Sequence, residues 1–588
     1  MKKLLFIALL FPFMSRAMEL VYSLKMPQPS SHYFEVSIDV KNATAAEIEF
    51  KMPVWTPGSY LVREFSKNLN QVSALDKAGK PLQVVKKSKN AWLVQAKGAS
   101  EFTVSYEVYA AELSVRTPFL DETHGFVAGA GVFMYSEASK NQKGALKIYP
   151  HASFSTISTA LAPADYKSVP GCYTYIFSNY DQLVDSPIEI GNQRVFEFMA
   201  AGVRHTVAMY GEANYNVTQL QKDMAKVVET ETAIFGTNPN QNYTFIIHNV
   251  VHGQGGLEHL NSCVLSVNRW SYAGSEYLGF INLVAHEYFH LWNVKRIRPI
   301  ELGPFNYDQE CYTSLLWVME GITSYYDELV LLRSGFYTKA QFISKLQSQI
   351  NYVEGTPGSR VQPVAHASFD AWIKAYRPNE NSSNTTMTYY SRGAVLGAVL
   401  DAYIIQKKGG KQGLDQFLKS LYDTYAVNLG RGFTEEEFAT ALSEFLGEEM
   451  QPFLDAYVNG TQVIPYATYL GPVGIEVKDL TTESPSIGAS FSDEGGIVVV
   501  KSVRRGSAAE LAGLSVGDEV LACNGYRVHK AMLESMLNSL AKGESTELVV
   551  AREEKIRSID FKMTSYSKPQ FSLAPSGQHE ALYNYWLR

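Results

Sequence analysis

From Met18 to about Tyr175, apolar and polar residues alternate, as in HYFEVSIDV and EFTVSYEVYA. A period of two puts every second side chain on one face and predicts strands that bury one side. MPVWTPGSYLVREF interrupts this pattern, with Pro53, Pro57 and Gly58 marking a turn. The pattern predicts an antiparallel β-domain over 18–178. Asn179 to Gly191 show no clear period and read as a connection. A middle block over 179–465 opens with strands such as YTFIIHNVV and then becomes helical in GSEYLGFINLVAHEYFHLWNV, CYTSLLWVMEGITSYYDELVLLRSG and YYSRGAVLGAVLDAYIIQKKGG. Gly335 and Gly409-Gly410 stand where helices end. RPNENSSNTTMT is a polar loop between helices. The last block, 466–566, has a strand in GGIVVVKSV, a tight turn at Asn524-Gly525 and a helix with Leu533, Met536, Leu537 and Leu540 on one face. Two further strands flank Glu553-Glu554. The tail, 567–588, ends in ALYNYWLR, a short helix expected to pack by Tyr583 and Trp586.

A chain of 588 residues is too long for one core and suggests three or four units of about 100–200 residues. The hydrophobic share of 46% and the charged share of 19% are those of a soluble globular protein. A net charge of −7 gives no sign of the basic face that a nucleic-acid binder needs. Lys2 and Lys3 precede an apolar run from Leu4 to Met14, and Ser15-Arg16-Ala17 supplies small residues at a cleavage point. Residues 1–17 therefore read as a secretory signal peptide. The run is too short to span about 30 Å of hydrocarbon, and no later segment offers a long uncharged span. The expectation is an exported protein, periplasmic or secreted, with no stable membrane span. The cysteines are Cys172, Cys263, Cys311 and Cys523. Cys263 and Cys311 flank motifs and are candidates for a disulfide. The alternative is four buried thiols.

The chemistry centres on AHEYFHLW. His286 and His290, four residues apart on a helix, put both rings on one face within reach of one metal ion. Glu287 lies one position round the helix, where it would face the water that attacks the substrate. A catalytic zinc site needs three protein ligands and one open position. Glu320, in LLWVMEGITSYY, lies on a second apolar helix, and Gly321 beside it permits close helix approach. Glu310 is the alternative, but a loop carboxylate is held less firmly. Imidazole and carboxylate ligands suit zinc, one ion per chain. Asp327, seven residues past Glu320, is a candidate to support a ligating histidine. Lys295, Arg296 and Arg298 serve either the helix C-terminus or a substrate carbonyl or carboxylate.

HExxH followed by a glutamate in a W-x-x-E-G helix resembles the gluzincin metallopeptidases. The 29 residues between His290 and Glu320 exceed the common spacing. That insertion, together with GGLEH, PVWTPGSYLVREF and YYSRGA, resembles the glycyl aminopeptidase family that carries a C-terminal PDZ domain. The resemblance covers nearly the whole chain after the leader. It implies an α+β protein with an N-terminal antiparallel β-domain, a thermolysin-like zinc peptidase domain with a helical part, and a PDZ domain. It also implies that Glu258 binds the substrate's free α-amine and that Gly255 and Gly256 lie along an extended peptide. His259 stands where many relatives have asparagine, and its role is left open. Tyr390, with Tyr389 as the neighbour to exclude, would donate to the developing oxyanion while Glu287 acts as general base.

The C-terminal block resembles a PDZ domain of the bacterial protease type. Ile487, Gly488, Ala489, Ser490 and Phe491 match its carboxylate-binding loop, which would take a peptide end as an added strand. The loop carries fewer glycines than usual, so a purely structural role stays open. The resulting expectation is an exported zinc aminopeptidase acting on peptides with a free N-terminus, with glycine or another small residue preferred. The alternatives are a zinc endopeptidase using the same metal site and a non-catalytic peptide-binding scaffold.

Overall fold

The computed structural model describes residues 18–164 and 170–588, so the expected leader lies outside the described residues. The alternating N-terminal segments form a ten-stranded sheet and a five-stranded sheet packed over one core. Tyr33–Lys41 shows the expected burial, with Phe34, Val36, Ile38 and Val40 inside and their neighbours outside. Among the described residues of these sheets pairing is antiparallel except that Glu19–Lys25 runs parallel to Gly144–Tyr149.

The segment expected to be a mere connection is structured. Tyr180–Val184 is a helix whose N-terminus is capped by Asn179. Ile188–Gly191 is an inner strand of the five-stranded sheet, paired on both sides. Four residues are too few for a period to show, and all four are buried.

The middle block opens with a five-stranded sheet ordered Arg194–Ala200, Val203–Tyr210, Asn242–Val250, Ser262–Asn268 and Gln254–Glu258. Its central strand, Asn242–Val250, is an almost unbroken apolar run because both faces are covered. Phe245 and Ile247 face the helices, while Ile246 meets Phe126 of the N-terminal sheets. Gln254–Glu258 is the edge strand. The helix Glu276–Phe289 packs against it, followed by Ile322–Arg333 and the buried helix Tyr389–Lys407. Among the described residues, no helix is long and apolar enough to cross a membrane.

The C-terminal sheet runs Ala489–Glu494, Ile497–Val503, Glu519–Cys523, Ser545–Arg552, Lys555–Lys562 over its own core. Asn524 and Gly525 form its tight turn, both at positive φ. Two strand pairs, Ile475–Asp479 with Phe571–Pro575 and Thr482–Ser486 with Thr564–Lys568, join this module to the middle block. The polar start of the tail is thus a returning strand, held where Asn351 and Gln347 bond Phe571 and Leu573.

The final helix, Glu580–Trp586, forms as expected. Trp586 is fully buried and its indole donates to the Tyr325 hydroxyl at 2.9 Å. Tyr325 donates in turn to Asp401 at 2.6 Å. The chain end is therefore a wedge against the helix Ile322–Arg333. Trp586→Ala is expected to cost about 3–5 kcal/mol, the usual loss for a truncated buried tryptophan. Urea unfolding of the purified protein measures this loss, with a lowered midpoint as the expected result.

Candidate active site

The helix Glu276–Phe289 buries Ile281, Val284, Ala285 and Tyr288 and turns His286 towards the cleft. His290 follows at its C-terminal end. His286 Nδ1 donates to Asp327 at 2.9 Å, and His290 Nδ1 donates to the Asn293 carbonyl at 2.7 Å. Because both acceptors lack a proton to give, each ring is left with an Nε2 lone pair. The two Nε2 atoms stand 3.2 Å apart, and Glu320 Oε2 lies 3.6 Å from one and 3.3 Å from the other. Ligands at about 2.0–2.2 Å around a tetrahedral ion are about 3.3–3.6 Å apart. Three electron-rich atoms converging at those separations repel one another unless a cation lies between them, so this set fits a divalent metal. Burial would raise the Glu320 carboxyl, but His290 and His286, when protonated in place of a bound cation, outweigh burial and hold it at about 2. Glu310 takes no part in this cluster.

Glu287 is buried, and burial pushes its carboxyl up to about 7. Its Oε2 has no hydrogen-bond partner in the protein. A Cβ at Gly256 would come within 2.3 Å of this carboxylate, so a glycine is required there. Gly255 has φ +129 and open space around it. Glu258, nearly fully buried, approaches Glu287 and His290 closely enough that their ligand atoms lie within 4.8 Å of one another. On its other side lies the N-terminal turn, where a Cβ at Gly58 would sit 2.7 Å from both Glu258 oxygens. The cleft has a volume of about 940 Å³ and is lined by Gly255, Gly256, His286, Glu287, Asp327 and Tyr390.

Tyr390 is half-buried, with its ring 6.3 Å from that of His286. Tyr389 is fully buried in the core. Thr388 caps this helix by accepting from the Tyr390 N–H. Sequence reasoning did not find Tyr60 and Tyr376. Both are buried or nearly so beside Glu320 and Glu258, whose negative charges add to burial in raising the phenol pKa values. Asn293 was also missed. Besides accepting from His290, it donates through its amide to the Val318 and Met319 carbonyls. The residue after it, Val294, has φ 122, an uncommon strain for a β-branched residue.

The basic residues after the helix have structural partners. Lys295 bonds Asp185 at 2.8 Å, and Arg296 bonds the Leu291 carbonyl and Asn240. Arg298 lines a separate cavity of about 250 Å³ behind Glu258. Asp185 also accepts from His259 at 3.0 Å and from the Leu260 N–H at 2.9 Å. This gives His259 a role in holding the strand end that carries Glu258. All four cysteines are free, so the Cys263–Cys311 pairing is not formed. Cys263 is wholly buried among Tyr243 and Glu287, and Cys311 is only half-buried. In the C-terminal module Ile487 and Phe491 are buried, Ser490 is exposed, and Gly488 has φ +75. The strand Ala489–Glu494 is an edge strand near the helix Lys530–Asn538. Asn384, in the polar loop before Tyr389, donates to the Val503 carbonyl and accepts from the Arg505 N–H.

Burial alone would raise the Asp185 pKa, but Lys295 and His259 overcome it and hold the value at about 2. Because the folded value lies below the unfolded one, this contribution is full above pH ~4 and fades as pH falls towards 2. Asp185→Asn is expected to cost about 3–5 kcal/mol at neutral pH by stranding a buried lysine. Denaturant midpoints of the two proteins should converge between pH ~4 and 2.

Residues 21–192 match the Peptidase M61 N-terminal domain, residues 279–396 the M61 glycyl aminopeptidase domain, and residues 485–563 a PDZ domain. The crystal structure of an aminopeptidase N family protein from Idiomarina loihiensis superposes with a TM-score of 0.90 at 27% identity, covering 97% of this chain and 100% of that one. A mutant M1 zinc metallopeptidase from Deinococcus radiodurans, bound to a Tyr-Ser-Ala substrate, shares the fold at TM-score 0.50 and 13% identity over 76% of this chain and 96% of its own. No curated protein sequence matches the chain. With matches to both M61 domains in order ahead of a PDZ domain, the chain is a metallo-aminopeptidase similar to the M61 glycyl aminopeptidase family.

Proposed function

We propose that the protein is an exported zinc aminopeptidase that removes glycine or another small residue from the N-terminus of peptides. The observation that carries this reading is the convergence of His286, His290 and Glu320 with Glu258 and Glu287 beside them. His286, His290 and Glu320 would hold one Zn2+. When bound, the ion supplies Lewis-acid polarisation and makes water acidic enough to ionise near neutral pH.

The chain's own residues do the rest. Glu287, which lines the cleft and has an unpaired oxygen, takes a proton from the attacking water and passes it to the leaving amine. Tyr390 donates to the oxyanion as it develops. Glu258 accepts the substrate ammonium. The Gly58 turn packed on Glu258 supports action at a chain end, since it leaves little room for residues upstream of the amine. This observation favours an exopeptidase over an endopeptidase. The PDZ edge strand would take a peptide end by strand addition.

The test combines metal analysis with cleavage of peptides that differ in their first residue. One zinc per chain, chelator-sensitive turnover and fastest release of glycine are expected. Glu258→Ala should lower kcat/KM on free-amine peptides about ten- to a hundredfold, the worth of a charge-assisted hydrogen bond. Equal cleavage of amine-blocked peptides at internal bonds would overturn the aminopeptidase reading. Export is checked by fractionation and by N-terminal sequencing of the mature protein, which should begin at Met18.

A further inference from the structure

The N-terminal domain brings Arg116 to the cleft wall, with Arg63 nearby, and among the described residues neither has a counter-ion. Arg63 leaves the Gly58 turn, and Arg116 sits between the strands Ala111–Ser114 and Thr117–Leu120. Arg63 donates to the Ser59 hydroxyl at 3.0 Å, and Arg116 donates to the Gly256 carbonyl at 3.3 Å. The Nε of each is buried without any partner. Among the described residues, neither arginine forms an ion pair with a carboxylate. The two are near enough that, after burial, Arg116 is the main influence lowering the pKa of Arg63. Tyr376 and the exposed Glu112 act on Arg63 in the opposite direction, and each by less than Arg116.

A partly desolvated guanidinium pair is costly unless an anion completes it. The planar fork of arginine matches a carboxylate with two parallel hydrogen bonds. Arg116 lines the same cleft as Gly255, Gly256 and Glu287. Gly256 precedes Glu258 by two residues on the edge strand, a span of about 7 Å. A peptide with its amine at Glu258 and its chain laid along this strand reaches Arg116 after about two residues.

The geometry points to Arg63 and Arg116 as a carboxylate-recognition site that takes the downstream carboxylate of a short peptide held by its amine at Glu258. This rests on the aminopeptidase reading of the cleft and adds a length and charge preference to it. The carboxylate comes from the C-terminus of a di- or tripeptide or from an acidic side chain near the N-terminus. In both cases the same two guanidinium groups receive it.

The experiment compares Gly-Gly and Gly-Gly-Gly with their C-terminal amides, and Gly-Asp-amide with Gly-Asn-amide, on the full-length enzyme. The free acid, or the Asp amide, should have a kcat/KM about tenfold above its uncharged counterpart, as expected for charged hydrogen bonds. Preference for the free acids identifies the C-terminus as the source, and preference for Gly-Asp-amide identifies the side chain. Arg116→Gln and Arg63→Gln should each bring the preferred ratio towards one, and Arg116→Lys should restore it only in part. Ratios near one in the unaltered enzyme, or ratios that survive both glutamine substitutions, overturn the proposal. Peptide Kd values on Glu287→Gln separate this test from that of the catalytic reading. A carboxylate preference in binding without turnover by the parent enzyme keeps the site and sinks the aminopeptidase.

Discussion

The active site depends on a contact between two helices that lack side chains where they touch. A Cβ on Gly321 would stand 2.4 Å from the Gly393 Cα, and one on Gly393 would stand 2.5 Å from the Trp317 carbonyl. Glu320 is the residue before Gly321, and Tyr390 lies three residues before Gly393. The close approach therefore sets how far a carboxylate on one helix and a phenol on the other reach towards His286 and His290. Trp317–Gly321 is a π-helical turn, which rotates Glu320 relative to the regular helix after it. A wider separation would draw both groups away from the imidazoles. Further along the same two helices Tyr325 lies against Gly397 and bonds Asp401, and Trp586 closes over it.

Around this contact, charged groups are buried in sets rather than singly. Glu189 lies wholly buried between two imidazoles, His124 at 2.6 Å and His248 at 2.9 Å. One imidazole comes from the N-terminal sheets and the other from the central strand of the peptidase sheet. Asp185 plays a similar part with Lys295 and His259. Such sets contribute little net stability but are costly to break, so they fix register more than they add free energy. Both act between the N-terminal domain and the strands that carry Glu258, which keeps the carboxylate proposed to bind the amine at a fixed distance from the histidines.

Much of this was legible in the chain. Period-two alternation gave the N-terminal strands, and the HExxH spacing with Glu320 gave three side chains that the fold brings together. Gly321 in the sequence permits close helix approach, and the backbone contact with Gly393 is that approach. Asp327 could be found because seven residues from Glu320 is nearly two helical turns. What stayed hidden depends on tertiary position. Ile188–Gly191 is too short and too buried to show a period, so a central strand looked like a linker. Tyr60, Tyr376 and Asp185 are ordinary residues until the fold places them, and the TPGSY segment reads in the sequence only as a turn. The Cys263–Cys311 pairing failed because nearness to motifs along the chain is not nearness in space. Cys263 faces the buried side of the edge strand's neighbour, among Tyr243 and Glu287.

The N-terminal domain therefore does more than scaffold the peptidase. A metal site of two histidines and a glutamate can cleave a peptide anywhere along its length, and position specificity has to come from what surrounds it. Here Gly58 covers Glu258 from the N-terminal side, and Arg116 of the same domain reaches the Gly256 carbonyl on the strand expected to hold the substrate. In the proposed reading one domain thus provides a wall at the amine end and a positive group further along, while the other provides the ligands and the base. Moving the N-terminal domain by even 1 Å would loosen both ends while leaving the metal ligands in place. That is the physical reason for stiffening the junction with buried ion sets rather than with apolar contacts alone. Apolar packing resists separation but slides at little cost. Directional bonds to Asp185 and Glu189 resist sliding as well.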